Sequence, residues 1–206
     1  MKREAIQRKM ENRPPSVIGE KYLTSYSILL PLIEKEGELH LLFEVRSLQM
    51  RRQPGEICFP GGKVDRQDKQ VMDAAVREAK EELGITGHEI EEVYPFDYMV
   101  SPFGMIVNTY VGFLNCSEER ILPNPAEVEE VFTVPLSFFK ENDPDVHFVN
   151  FDVKPDEGFP YDLIANGRDY EWQTRKMEEY FYKYDGKVIW GLTARVLYAF
   201  IESLQE

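Results

Sequence analysis

The chain of 206 residues contains only two cysteines and three histidines. Cys58 and Cys116 are too few for a disulfide framework, and neither they nor the scattered histidines have the spacing of zinc ligands. No segment approaches the run of about eighteen apolar residues that spans a membrane. The charged N-terminal segment lacks the apolar core of a signal peptide. We therefore expect a cytoplasmic protein with reduced thiols and no membrane partner.

Basic residues are also in the minority. The 24 lysines and arginines against 37 aspartates and glutamates give a formal net charge of −13. Such a charge repels the phosphate backbone of a nucleic acid, so we predict no nucleic-acid partner. A small diphosphate can still bind, because a metal ion and a few arginines set the local field. The length favours a single domain with a sizeable core.

The chain divides at a proline pair. Residues 1–13 predict a polar helix that Pro14 and Pro15 end. Residues 1–20 are therefore assigned to an N-terminal polar helical extension, and residues 21–206 to the main domain. Apolar runs at 26–33 and 39–46 flank a polar segment and predict a β-hairpin. Further strands are predicted at 90–95, 105–114, 130–134, 146–153 and 179–189, and helices at about 68–83, 135–140 and 192–204. Strands mixed with separated helices favour an α/β sandwich.

The most informative segment is a glycine loop that leads into an acidic helix. Phe-Pro-Gly-Gly-Lys at 59–63 is followed by Arg-Glu-Ala-Lys-Glu-Glu-Leu-Gly at 77–84. On a helix, Glu78, Glu81 and Glu82 project from one side, and Arg77 lies within reach of Glu81. Like charges at this spacing destabilise a bare helix by a few tenths of a kcal/mol per pair, whereas a bound divalent cation reverses the sign. The alternative is a solvated surface helix.

The other side of that helix predicts an ordinary core contact. Its apolar residues recur with the helical period and form one stripe: Met72, Ala75, Val76, Ala79 and Leu83. Gly84 follows this stripe and is the expected C-terminal cap. The helix is therefore expected to pack on a sheet through this stripe.

The glycine loop and acidic helix resemble the signature of the Nudix hydrolases. One residue is inserted before the helix, and Asp68 stands near a position where the family has glutamate. Three upstream segments resemble an additional motif of the coenzyme A pyrophosphatase branch: Phe-Glu-Val-Arg-Ser at 43–47, Gln-Pro-Gly-Glu at 53–56 and Ile-Cys-Phe-Pro-Gly-Gly at 57–62. Gln53 and Glu56 depart from that motif, which commonly has histidine and glutamine there. Residues 189–194 also resemble this branch.

The resemblance implies a Nudix-type α/β/α sandwich with a mixed sheet and a bound Mg²⁺ or Mn²⁺. The implied metal ligands are Glu78, Glu81 and Glu82. Glu81 is also a candidate catalytic residue, with Arg77 orienting it. A general base is implied in the segment 124–130, where Glu127 is the first candidate and Glu130 the second, as a base or an additional ligand.

Residues near the glycine loop are candidates for substrate binding. Gly61 and Gly62 lack side chains and let a phosphate or a ligand approach the backbone closely. Arginine clamps phosphate with two parallel hydrogen bonds, so a cluster of basic residues beside the loop is expected to bind the diphosphate or the 3′-phosphate of coenzyme A: Arg46, Arg51, Arg52 and Lys63. The aromatic-rich stretch 161–190 is interpreted as core and strand packing rather than base stacking.

The expected function is metal-dependent hydrolysis of the diphosphate of a nucleoside-diphosphate-linked small molecule. The branch resemblance implies coenzyme A or an acyl-coenzyme A as the substrate, with 3′,5′-ADP and 4′-phosphopantetheine as products. An ADP-ribose or dinucleotide pyrophosphatase is the alternative within this class. A non-catalytic ligand sensor with a Nudix fold is the alternative from another class. The oligomeric state, monomer or homodimer, is left open.

Overall fold

The computed structural model describes residues 2–205. Within them the helices are α1 (Arg3–Met10), α2 (Val71–Leu83), α3 (Leu136–Glu141) and α4 (Gly191–Ser203). The strands are β1 (Thr24–Lys35), β2 (Glu38–Arg46), β3 (Ile57–Cys58), β4 (Gly61–Lys63), β5 (Ile90–Ser101), β6 (Met105–Leu114), β7 (Val128–Pro135), β8 (Asp145–Phe151), β9 (Arg175–Tyr184) and β10 (Lys187–Trp190). No helix in residues 2–205 is both long and apolar enough to cross a membrane.

A seven-stranded sheet forms the centre of the fold. Its main order is β3-β2-β1-β6-β5, while β4 pairs with β1 and β7 pairs with β2. β1 and β6 are parallel and the other pairs are antiparallel, so the sheet is mixed. One edge of β1 is shared, because β4 pairs with its first half and β2 with its last residues. A smaller antiparallel sheet has the order β10-β9-β8.

The central sheet is covered on both faces, because alternate residues of a strand point in opposite directions. On one face Leu29 and Leu42 pack with Leu83 of α2. On the other face Leu30 and Phe43 pack in the cluster that contains residues of α4: Val196, Leu197, Phe200 and Ile201. The resulting layers are helix, sheet and helix, which confirms the predicted α/β/α sandwich with a mixed sheet.

The predicted elements are present with shifts at their ends, except that the single strand predicted at 179–189 is divided into the antiparallel strands β9 and β10. The acidic helix begins at Val71 rather than near Asp68, because the Gln70 backbone N–H donates to the Asp73 carboxylate at 2.9 Å and caps the first turn. β5 continues to Ser101, six residues past its predicted end, since β6 pairs with it as far as Ser101↔Met105, with two irregularities in register along the way. The N-terminal helix ends at Met10, before the proline pair.

Helix α1 has no buried residue. The division into an extension of residues 1–20 and a domain of residues 21–206 remains a prediction. Met1 and Glu206, the outer bounds of these two parts, lie outside the described residues.

Candidate active site

Helix α2 presents its three glutamates on one side but at three depths. Glu82 is 5% exposed. The side chains of Glu78 and Glu81 are 18% and 56% exposed. The gradient follows from the helical period, because Glu82 is nearest the buried Ala79 and Leu83 while Glu81 points outward. Of the three predicted metal ligands, Glu78 and Glu82 therefore face the interior of the site, and Glu81 lies at its rim.

The glycine loop lies directly against this helix. The Gly61 N–H donates to Glu82 Oε2 at 2.9 Å. Gly61 has a φ of +153°, and a Cβ there would lie 2.5 Å from the Ser27 carbonyl oxygen. A Cβ on Gly62 would lie 2.3 Å from Glu78 Oε1. The absence of both side chains thus lets strand β4 approach β1 on one side and the α2 carboxylates on the other.

Arg77 holds acids on both sides of the loop–helix junction. Its Nε and Nη2 each donate to the Asp68 carboxylate at 3.2 Å, and its Nη1 donates to Glu78 Oε1 at 2.9 Å. The predicted partner Glu81 is farther away, at 3.4 Å. The Asp68 side chain is 3% exposed, and the Arg77 hydrogen bonds lower its pKa. Sequence reasoning missed this pair, since only a family resemblance distinguished Asp68 from other acids.

A fourth carboxylate, Glu44 of β2, also belongs to the site. It is 1% exposed. Its Oε1 accepts a hydrogen bond from Cys58 Sγ at 3.3 Å, and its Oε2 has no hydrogen-bond partner in the structure. Glu44 follows Leu42 by two positions, so it points to the same face of the sheet as Leu42, towards α2. In the sequence it is a single acid within an apolar run and part of the 43–47 segment that resembles the coenzyme A branch, but it was not predicted as a site residue.

The four carboxylates act on one another electrostatically. Burial raises the pKa of Glu82 to about 9, and the nearby charge of Glu44 adds to this rise. Burial likewise raises the pKa of Glu44 to about 7 and shifts the pKa of Glu78 upward. Glu127 contributes negative charge to all three. A site that gathers these acids favours a cation, because the cation offsets their mutual repulsion and their lost hydration.

Glu127 and Glu130, the two candidate bases, lie on different sides of the sheet. Glu127 is partly buried in the loop before β7, where its carbonyl accepts the Ser47 N–H at 2.8 Å. Glu130 pairs with Val45 across β2 and β7, so its side chain points away from the face that carries Glu44. There it forms an ion pair with Lys187. The structure therefore brings Glu127, and not Glu130, together with the α2 carboxylates.

The basic candidates are placed unevenly. Arg46 is partly buried, its Nε has no partner in the structure, and its positive charge lowers the pKa of Glu44. Arg51 and Arg52 are exposed on the loop between β2 and β3, and neither forms an ion pair with another described residue. The exposed Lys63 contributes its carbonyl, which accepts from Arg77 Nη2 at 3.4 Å.

The site gathers carboxylates of the kind that ligate a metal ion. As the side chains are oriented, no three His, Cys, Asp or Glu residues within 2–205 stand in position to hold one ion. Glu82, Glu78 and Glu44 each face a different protein donor, namely Gly61, Arg77 and Cys58. Oxygen ligands are nevertheless those that Mg²⁺ and Mn²⁺ prefer. The buried Glu44 Oε2 has no hydrogen-bond partner and the Glu78 carboxylate lies against Gly62, so this donor set has the chemistry to ligate such an ion.

The NUDIX domain family model matches residues 24–153, more than half of the chain. The chain therefore belongs to the Nudix family, as the glycine loop and acidic helix predict. Nudix hydrolases generally need divalent metal ions. This requirement agrees with the carboxylate donors of the site, and it leaves the choice between Mg²⁺ and Mn²⁺ open.

Three relatives carry hydrolase names. A mouse (Mus musculus) protein named peroxisomal coenzyme A diphosphatase NUDT7 is 43% identical over 60% of this chain and 54% of its own length. A Caenorhabditis elegans protein named peroxisomal coenzyme A diphosphatase ndx-8 is 37% identical over 60% of this chain and 53% of its own. A Nudix hydrolase named NudL from Photorhabdus laumondii is 31% identical over 87% of this chain and 84% of its own. The chain thus spans about half the length of the two named diphosphatases.

Proposed function

We propose that this Nudix hydrolase cleaves the diphosphate of coenzyme A or of an acyl-coenzyme A, with Mg²⁺ or Mn²⁺ as cofactor. The products are 3′,5′-ADP and 4′-phosphopantetheine, the latter acylated when the substrate is. The observation that carries the proposal is the contact of Glu78 and Glu82 with the Gly61-Gly62 loop. The names of the mouse and Caenorhabditis elegans relatives support the choice of substrate.

Different residues of the site orient the carboxylates and accept the proton of the attacking water. Gly61 fixes the Glu82 carboxylate, and Arg77 fixes Glu78, so both acids stay oriented towards the loop. When bound, a divalent cation lowers the pKa of a coordinated water and neutralises phosphate charge. Glu127 accepts the proton of the attacking water, the water oxygen bonds to one phosphorus, and the other phosphate departs with the bridging oxygen. Glu81 at the rim is an outer ligand or a second proton acceptor.

An ADP-ribose or dinucleotide pyrophosphatase is the second candidate. The observation that favours it is the hydrogen bond from Gln53 Nε2 to Glu56 Oε2 at 2.8 Å. This pair occupies two positions of the motif that resembles the coenzyme A branch. It places a carboxylate on the same loop as Arg51 and Arg52, where it repels a further phosphate. A substrate without a 3′-phosphate avoids that repulsion.

A substrate panel with products resolved by mass tests the proposal. The purified chain is incubated with Mg²⁺ and with coenzyme A, acetyl-coenzyme A, ADP-ribose, NADH or a deoxynucleoside triphosphate, and Glu82→Gln is the inactive control. We expect the highest kcat/KM for a coenzyme A substrate, with 3′,5′-ADP as the common product. Preferential cleavage of ADP-ribose or NADH favours the second candidate. Binding without turnover of any compound would indicate a sensor.

The proposal also includes the cellular location of the enzyme and the role of its N-terminal segment. We place the enzyme in the cytoplasm on the sequence prediction alone, and relatives include peroxisomal, mitochondrial and chloroplastic proteins by name. Residues 1–20 are proposed as an extension, which agrees with the absence of buried residues in α1.

A further inference from the structure

Glu44 has an environment that packing alone does not explain. It is among the largest side chains of the described residues that are buried almost completely, at 1% exposure. The others of that group are aliphatic or aromatic. A buried carboxylate is costly unless it is paired or bound to a cation. The structure provides one weak thiol donor for Oε1 and no partner for Oε2.

Arg46 does not offset the free-energy cost of burying the Glu44 carboxylate. Arg46 stands two residues along β2, and its field favours ionised Glu44. No ion pair joins the two side chains in the described chain, and Arg46 Nε itself lacks a hydrogen-bond partner. A bulge between Val45 and Arg46 interrupts the register of β2 with β7 at this point. Glu44 and Arg46 therefore stay separate, each with capacity for a further partner.

The carboxylates around Glu44 define where its partner lies. Helix α2, which carries Glu78 and Glu82, covers the face of the sheet to which Glu44 points, and the charges of these three carboxylates and of Glu127 act on one another. A cation between this face and α2 meets oxygen donors from strand β2 as well as from α2. An aliphatic residue at position 44 would pack the strand equally well without the repulsion between Glu44 and Glu82.

We propose that Glu44 is an additional carboxylate ligand of the divalent cation, so that the ion is held between β2 and α2. The inference rests on the proposed function, because it assumes the metal site at Glu78 and Glu82. It adds a ligand from outside the glycine loop and acidic helix. The ion would then link the central sheet to α2 directly.

Direct measurement of Mn²⁺ binding tests this ligand without reference to hydrolysis. Electron paramagnetic resonance gives the Kd of the full chain, of Glu44→Gln and of Glu38→Gln. Glu38 lies on the same strand and is exposed, and its carboxylate accepts the Ser137 N–H, so it is a matched control. We expect Glu44→Gln to raise the Kd at least about tenfold, as changes near a metal commonly do. Glu38→Gln should leave the Kd unchanged.

Unfolding of the same proteins without metal separates a ligand from a structural residue. As a ligand, Glu44 repels Glu82 in the metal-free protein, so Glu44→Gln should unfold at an equal or higher denaturant concentration than the wild type. A lower unfolding midpoint together with a Kd within about twofold of wild type would assign Glu44 to packing and overturn the proposal.

Wild-type crystals soaked with MnCl₂ provide a test that needs no variant to fold. The anomalous signal locates the ion, and a Glu44 carboxylate oxygen should lie within about 2.0–2.6 Å of it, the range of oxygen ligands for such ions. A longer separation overturns the role of Glu44 alone. If the wild type binds no Mn²⁺ by either method, the proposed metal-dependent function fails together with this inference.

Discussion

Helices α2 and α4 have the same length, thirteen residues, and cover opposite faces of one sheet. α4 buries large apolar side chains such as Leu197 and Phe200. α2 buries three small residues, Ala74, Ala75 and Ala79, one large apolar residue, Leu83, and the carboxylate of Glu82. The two faces of the sheet therefore have different roles. The face covered by α4 contributes burial of apolar side chains, and the face covered by α2 brings charged groups close to the strands.

Replacing the buried acid of α2 should give the largest effect on catalysis. Glu82→Gln removes a carboxylate that Gly61 orients, and metal activation is worth several kcal/mol, so kcat should fall at least about 100-fold. The metal-free variant should be no less stable than the wild type, because it lacks one buried charge among like charges. Steady-state kinetics at saturating Mg²⁺ and urea unfolding in EDTA measure both. Near wild-type turnover would remove Glu82 from the site.

Shortening one buried side chain of α4 should lower stability and leave kcat unchanged. Leu197 is fully buried, and Leu197→Ala leaves a cavity, so the free energy of unfolding should fall by about 2–5 kcal/mol. The kcat of the folded fraction should stay close to that of the wild type, because α4 contributes no carboxylate to the site. Urea titration and kinetics below the unfolding transition check this. A large loss of kcat in fully folded protein would contradict the conclusion that α4 contributes to stability and not to catalysis.

The adjacent residues Gly61 and Gly62 allow the same comparison between a structural contact and a contact with the site. A Cβ at position 61 meets backbone atoms of β1, whereas a Cβ at position 62 meets the side-chain carboxylate of Glu78 on α2. Gly61→Ala should therefore lower stability by about 1–3 kcal/mol. Gly62→Ala should leave stability nearly unchanged and reduce kcat about ten- to a hundredfold, since a small displacement of a catalytic group is costly. Equal profiles for the two variants in unfolding and kinetics would contradict this division.

The smallest effect is expected outside both helices, on the loop that carries Arg51 and Arg52. A charge-assisted contact with the 3′-phosphate is worth about 1.5–3 kcal/mol when desolvated and less when exposed. Arg51→Ala or Arg52→Ala should lower kcat/KM for coenzyme A about tenfold and leave that for dephospho-coenzyme A unchanged. Arg175→Ala, a distant exposed variant, should change neither. Equal losses on both substrates would indicate general diphosphate binding.

Periodicity along α2 was sufficient to predict that its acids and its apolar stripe lie on different sides. The spacing of Glu78 and Glu82 specifies their side of the helix whatever surrounds it. Gly84 ends the helix in a left-handed conformation, as its position after the stripe predicts. These features depend on residues that are close in sequence, and such features are the ones a local pattern describes.

Features that depend on strand pairing could not be predicted in this way. Glu44 faces α2 only because β2 lies beside β1 in a particular register. The separation of Glu127 from Glu130 likewise follows from the pairing of β7 with β2. The ion pair of Asp68 with Arg77 requires the path of the loop before α2. In each case the surroundings of the side chain depend on how strands, helix and loop pack together, which no periodic sequence pattern specifies.

The shared edge of β1 has a consequence for the order of folding. β4, which carries Gly61 and Gly62, is positioned by β1, and β1 in turn pairs with β6 from Thr24↔Met105 to Ile33↔Leu114. Contacts between segments so far apart form slowly, because the chain loses the entropy of closing the intervening loop before the contacts can stabilise it. We expect the glycine loop to acquire its native shape only after β6 has docked. The acids of α2 therefore stay hydrated and far from Glu44 until the sheet is assembled, and their repulsion opposes only the last steps of folding.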